Sequence, residues 1–102
     1  MIIKMSYHIS AFSPPNHLQV LLNDNNVVVT WVAPSNVETC NITYTITYNI
    51  KGITKHEGTT IDSFFIFNET PLPCSVAEIT VTARNPSGDE QSVSAILETG
   101  KT

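Results

Sequence analysis

Val27-Val28-Val29-Thr30-Trp31-Val32-Ala33-Pro34 is the stretch that decides the fold. Val27, Val29 and Trp31 alternate with Val28, Thr30 and Val32, and alternation of bulky apolar residues at period 2 marks a half-buried strand. Pro34 ends the run, because proline has no N–H to give to a ladder. Two further runs carry the same signal. Tyr44-Thr45-Ile46-Thr47-Tyr48 is one, and Ile79-Thr80-Val81-Thr82-Ala83 is the other, closed by the turn residues Asn85-Pro86-Ser87-Gly88. A tryptophan on one strand, faced by aromatic and β-branched residues from others, makes a small core between two sheets. Trp31, Tyr44, Ile46, Tyr48, Leu72, Ile79 and Val81 are the expected core.

Further along the chain, turn signals recur every 8 to 12 residues and no stretch has helical period. Residues 1–13 form a polar, weakly patterned lead-in, and Pro14-Pro15 marks the entrance to a domain over 14–102. Leu18, Val20 and Leu22 alternate in a first strand. Asn23-Asp24-Asn25-Asn26 is a turn, since Asn and Asp tolerate left-handed backbone. Ala33 to Thr39 is a loop, and a long strand covers 42–50 up to Lys51-Gly52. A short edge strand follows over Ile53–Glu57, then a strand over Thr59–Phe67. The register of that strand is open, because Phe64, Phe65, Ile66 and Phe67 are consecutive. Residues 68–75, with Pro71 and Pro73, turn a corner. A strand over 76–84, a turn over 85–90 and a last strand from Gln91 to about Thr99 complete the set. The expected fold is all-β, a seven-stranded antiparallel immunoglobulin-like sandwich.

The chain has 102 residues, 41% of them hydrophobic, as expected for one small globular domain. Five basic residues and a formal charge of −4 exclude the clustered cations that nucleic acid requires. They also disfavour anionic membrane. No apolar run approaches the roughly 20 residues of a membrane helix. Met1-Ile2-Ile3-Lys4-Met5 is too short an apolar region for a secretory signal. An extracellular location would therefore make this chain an excised module or an incomplete product, and otherwise the location is cytosolic; the residues alone leave both open.

The ordered set Pro14-Pro15, Leu18-x-Val20, Val27-x-Val29-x-Trp31-x-x-Pro34, Tyr44-x-Ile46-x-Tyr48, Leu72, Ile79-x-Val81-x-Ala83-x-Asn85-x-x-Gly88 and Thr99 resembles a fibronectin type III domain over residues 14 to 99. The resemblance implies strands A, B and E in one sheet and G, F, C and C′ in the other. It also implies a non-catalytic, extracellular or cell-surface module. Such a module serves as a spacer or protein-interaction unit in a larger adhesion or receptor protein, beside neighbouring modules in a tandem array. The alternative is an accessory linker domain of a secreted glycoside-degrading enzyme. A cytokine-receptor half is disfavoured, because the Trp-Ser-x-Trp-Ser motif is absent and Trp31 is the only tryptophan. One position departs from the family. Ala77 stands where a tyrosine usually ties the E–F corner to nearby backbone. That bond is lost, or the corner is rebuilt by Pro71, Leu72 and Pro73.

Cys40 and Cys74 are the only cysteines, and the simple reading pairs them, for a loop-closure gain of roughly 3 to 4 kcal/mol. The topology that the resemblance implies opposes this. Cys40 precedes strand C at the B–C end, and Cys74 precedes strand F at the E–F end. A strand of about seven residues spans roughly 20 Å, whereas a disulfide needs Cα atoms within about 7 Å. The expectation is no bond within the domain, with a bond from Cys74 to Cys40 of a neighbouring module as the sharper alternative.

Asn41-Ile42-Thr43 and Asn68-Glu69-Thr70 match the N-glycan acceptor pattern, whereas Pro86 disqualifies Asn85. His8, His17 and His56 lack metal-ligand spacing. The acidic residues form no spaced pair, neither cysteine has a histidine partner, and no Gly-rich phosphate loop exists. No catalytic residue, cofactor, metal or small-molecule substrate is expected. The F–G turn has Ser87-Gly88-Asp89 where the family sometimes displays Arg-Gly-Asp, so the cation of that integrin ligand is missing.

Overall fold

The computed structural model describes residues 13–34 and 41–100. The lead-in up to residue 12 with His8, loop residues 35–40 with Cys40, and the last two residues lie outside them. Seven strands follow in order: β1 Asn16–Asn23, β2 Asn26–Val32, β3 Thr43–Ile50, β4 Ile53–Thr60, β5 Phe64–Phe67, β6 Val76–Arg84 and β7 Glu90–Glu98. One sheet has the order β1-β2-β5 and the other β4-β3-β6-β7, with every pair antiparallel. This is the two-sheet arrangement implied by the resemblance, strands A, B and E against G, F, C and C′.

Alternation explains the layers. Val27, Val29 and Trp31 of β2 face Tyr44, Ile46 and Tyr48 of β3 and Ala77, Ile79, Val81 and Ala83 of β6 across one core, which Phe67 and Leu97 complete. A one-residue slip would turn these sets out to water, so burial itself holds the register. Trp31 and Tyr44 meet edge to face, with ring centroids 5.1 Å apart.

Four expectations are corrected. Leu72, expected in the core, is 60% exposed, because its backbone and not its side chain is tied into the E–F corner. The strand expected to stop at Glu57 runs through Gly58 to Thr60. Correspondingly, β5 is only Phe64–Phe67, separated from β4 by Ile61, Asp62 and Ser63. Gly58 makes this possible. It lies under the ring of Phe65, and any Cβ there would overlap the ring. Finally, the corner is rebuilt from Ser75 and Thr99, with Leu72 contributing only its carbonyl. The open register is settled at the same time. Phe67 pairs with Val27 and is buried, so Phe65 turns inward with it while Phe64 and Ile66 face out.

Candidate interaction surfaces

The sandwich offers two poles and two outer faces. One pole gathers the described ends of the β2–β3 loop, the β4–β5 turn and the β6–β7 turn. At that last turn, Asn85 acts as a staple. Its N–H donates to the Asp89 carbonyl at 3.1 Å, and its carbonyl accepts from Gly88 N–H at 3.0 Å. Its side-chain oxygen accepts from Asp89 N–H at 3.0 Å, and its side-chain nitrogen donates to Asp89 Oδ2 at 3.3 Å. Gly88 supplies the left-handed backbone, at φ +95. Arg84 and Glu90 pair at 3.6 Å where the strands enter. Asp89 and Glu90 are both exposed, Asp89 bonded within its own turn and Glu90 beside Arg84.

The opposite pole is the E–F corner with the end of β7. The Leu72 carbonyl accepts from Thr99 Oγ1 at 2.6 Å and from Ser75 Oγ at 2.8 Å. Thr99 Oγ1 in turn accepts from Ser75 N–H at 2.9 Å, and Thr99 N–H donates to the Ser75 carbonyl at 2.9 Å. Two small hydroxyls therefore do here what a tyrosine does in the usual corner. Ser75 and Thr99 were missed as a pair because their partnership is non-local; only Thr99 was singled out, as an end marker. Beside them lies an open, mostly apolar groove of about 430 Å³ between Leu22, Asp24, Thr70, Pro71, Pro73, Thr99 and Gly100. Cys74 is an exposed thiol at this pole, with left-handed backbone at φ 55.

The outer face of the four-stranded sheet is a grid of hydroxyls. Thr59, Thr45, Thr82 and Ser92 form one row across the strands, and Glu57, Thr47, Thr80 and Ser94 the next. Within the rows, Thr82 bonds Ser92 at 2.7 Å and Thr80 bonds Ser94 at 2.9 Å. The outer face of the three-stranded sheet is different: Leu21, Val28 and Ile66 stand in one row, with Gln19, Thr30 and Phe64 in the next.

The aromatics that could have made a carbohydrate platform, Trp31, Tyr44 and Tyr48, are all buried. Burial raises the pKa of both tyrosine hydroxyls. At Tyr44, the nearby Trp31 indole N–H and Ser63 hydroxyl partly oppose it. The indole N–H and the Tyr48 hydroxyl are both buried with no hydrogen-bond partner. His56 packs edge-on against Tyr48, with ring centroids 5.3 Å apart, and its Nδ1 lies 3.7 Å from Glu69. His17 is distant in the fold, bonded to the adjacent Asn16 at an irregularity near the start of β1. Among the described residues no three His, Cys, Asp or Glu groups converge as metal ligands. Nor is any of their helices long and apolar enough to cross a membrane. Asn41 and Asn68 are both exposed, the first just before β3 and the second just after β5.

No protein-family model and no curated protein matches this chain. Solved structures do. The rat CD45 extracellular region, domains d3–d4, is similar at 14% identity and TM-score 0.69, over 94% of this chain and 61% of that one. The spore cortex lytic enzyme SleM of Clostridium perfringens is similar at 18% identity and TM-score 0.67, over 86% of this chain and 28% of that one. The FN5 domain of Drosophila Lar is similar at 20% identity and TM-score 0.61, over 90% of this chain and all of that one. This chain thus spans less than two thirds of the CD45 and SleM chains, and at these identities the likeness is one of fold.

Proposed function

From a chain that has the fibronectin type III fold, we propose a non-catalytic extracellular module, a spacer or protein-interaction unit within a larger adhesion or receptor-type protein. The observation that carries this reading is mechanical. The described chain enters β1 at Asn16, opposite Val32 at the pole where β2 ends, and leaves at the E–F corner, where the Gly100 carbonyl accepts from Cys74 N–H. The two points are separated by the length of a strand, roughly 26 Å for eight residues. A rigid body with entry and exit at opposite poles transmits position and force from one neighbour to the next. It holds the Asn85 turn at one end and the hydroxyl grid on one side.

Neighbouring modules of a tandem array are the expected partners, and Cys74 stands at the exit pole. A bond from Cys74 to Cys40 of the next module is the covalent version of this arrangement. Two copies joined end to end test both parts. Small-angle scattering should give an extended pair, and a non-reducing gel should show a mobility change on reduction. A collapsed pair would count against the spacer role, and unchanged mobility against the bond. Labelling of the parent protein on intact cells with a membrane-impermeant amine reagent tests the location.

A second reading is an accessory linker domain of a secreted glycoside-degrading enzyme. The likeness to part of SleM, named as a spore cortex lytic enzyme, favours it. The domains flanking this module in its parent protein decide between the two, since a catalytic neighbour supports the second.

A further inference from the structure

The outward positions of β1, β2 and β5 carry no charge. They are Asn16, Gln19, Leu21 and Asn23 on β1, Asn26, Val28, Thr30 and Val32 on β2, and Phe64 and Ile66 on β5, with the exposed imidazole of His17 next to Asn16 at the far end. Leu21 is 57% exposed, Phe64 49% and Ile66 39%, and Val28 joins Leu21 to Ile66 across the sheet. An uncharged face with an apolar centre is the kind of surface that attracts a cover. The other sheet shows the contrast, with Glu57, Glu78, Arg84, Glu90 and Glu98 among its hydroxyls.

Asn68 stands at the end of this same face. It is exposed, begins the acceptor sequence Asn68-Glu69-Thr70, and comes two residues after the outward-facing Ile66. One pleat repeat, about 6.6 Å, separates the two along the strand. Among the described residues, neither the Asn68 amide nor the Thr70 hydroxyl is engaged in a side-chain hydrogen bond. Asn41, the other acceptor, leads into β3 of the opposite sheet.

We propose that Asn68 carries an N-linked glycan whose first sugars lie back over Ile66, Phe64 and Val28 and cover the outer face of the three-stranded sheet. In the modification, Asn68 Nδ2 bonds to the anomeric carbon of N-acetylglucosamine. The anomeric C–O bond to a lipid pyrophosphate carrier breaks, and the amide proton leaves with the pyrophosphate. The pyranose ring has an apolar C–H face and a hydroxylated rim, which suits it to an apolar strip bordered by Gln19, Thr30 and Asn26. Attachment at Asn68 keeps the sugar beside the strip at high effective concentration, an advantage no separate partner has. The inference rests on the extracellular reading above.

The test is the whole chain behind a secretory leader in a eukaryotic host, with peptide mass measurement at both acceptors. Asn68 is expected to be occupied. Thr70→Ala, which removes the acceptor pattern and leaves Asn68 in place, should give a several-fold rise in fluorescence of the apolar dye ANS and a gain in sedimenting mass. Phe64→Thr with Ile66→Thr in the Thr70→Ala background should return both to baseline, whereas Asn41→Gln should change neither. Trimming to a single N-acetylglucosamine should retain most of the protection. Bare Asn68 beside an occupied Asn41 overturns the proposal alone. So does a Thr70→Ala protein with unchanged dye binding and mass, or a fully glycosylated protein that dimerises through this face. Localisation of the parent protein in the cytosol removes the functional reading and this one together.

Discussion

The Tyr48 hydroxyl is buried without a hydrogen-bond partner, a desolvation cost of about 1–3 kcal/mol that its ring repays by packing against Phe67 and His56. Tyr48→Phe keeps the ring and removes the cost. Stability at neutral pH should stay level or rise by up to about 1 kcal/mol in urea denaturation. The pH dependence has a definite sign. Burial favours the neutral phenol, so the folded-state pKa lies above the unfolded value. The associated stability is complete below about pH 10 and is lost as pH rises through the folded value. The parent should therefore lose stability above about pH 10 more steeply than Tyr48→Phe. Tyr44, shifted in the same direction, keeps the variant from becoming pH-independent. A steeper loss in the variant would refute the assignment. Gly58 is the second single-residue case. A Cβ there would come within 2.6 Å of Phe65 Cε1 and 2.8 Å of Cε2. Its φ is not in the left-handed range, so the cost of Gly58→Ala is steric and not backbone strain. Gly58→Ala should destabilise by about 1–3 kcal/mol. Most of that penalty should vanish in a Phe65→Ala background, where the ring is gone. Additive effects in that double-mutant cycle would mean that the glycine serves some other purpose.

Among the elements, the E–F corner depends on partners far apart in the chain. Thr99 Oγ1 donates to the Leu72 carbonyl and accepts from Ser75 N–H, so it links the last strand to the turn before β6. Thr99→Val preserves shape and β-propensity but leaves the Ser75 N–H without that acceptor. It should cost about 1 kcal/mol, while Thr99→Ser costs less. Faster amide exchange at Ser75 in the valine variant would locate the loss at the corner, and unchanged exchange there would refute the account. This corner also shows how far the sequence was legible. Strands with clean alternation, such as Val27–Val32 and Tyr44–Tyr48, could be read because burial writes a period of 2 into one local stretch. The two-sheet topology came from the family resemblance that those runs carry. What could not be read was relational. Leu72 looked like core because it is apolar, yet its carbonyl is the part the fold uses. Gly58 looked like a strand end because its reason for being glycine, the Phe65 ring, lies on another sheet. The apolar row Leu21–Val28–Ile66 was implicit in the runs Val27-Val28-Val29 and Phe64-Phe65-Ile66-Phe67, but only the register shows that the three residues are adjacent.

For the whole molecule, no backbone ladder joins the two sheets, and their union rests on side chains. β1 abuts β7 along one open side and β4 abuts β5 along the other, with Trp31, Tyr44 and the aliphatic residues filling the space between. Each sheet alone would expose its inner row of valines, isoleucines and aromatics to water. A three-stranded sheet with β5 only four residues long has little else to hold it. The domain should therefore unfold as a single unit. Trp31, the only tryptophan and buried between the layers, reports their separation by fluorescence, while far-UV circular dichroism reports the strands. The two signals should trace one transition in urea with the same midpoint. Trp31→Ala, at a cost of about 3–5 kcal/mol, should take most of the stability of a domain this size, so its circular dichroism transition should move toward zero denaturant. A fluorescence midpoint well below that from circular dichroism would show the three-stranded sheet peeling away while the four-stranded sheet survives. The module would then be two mechanical elements in series, and the rigid-spacer role would have to pass to the four-stranded sheet alone.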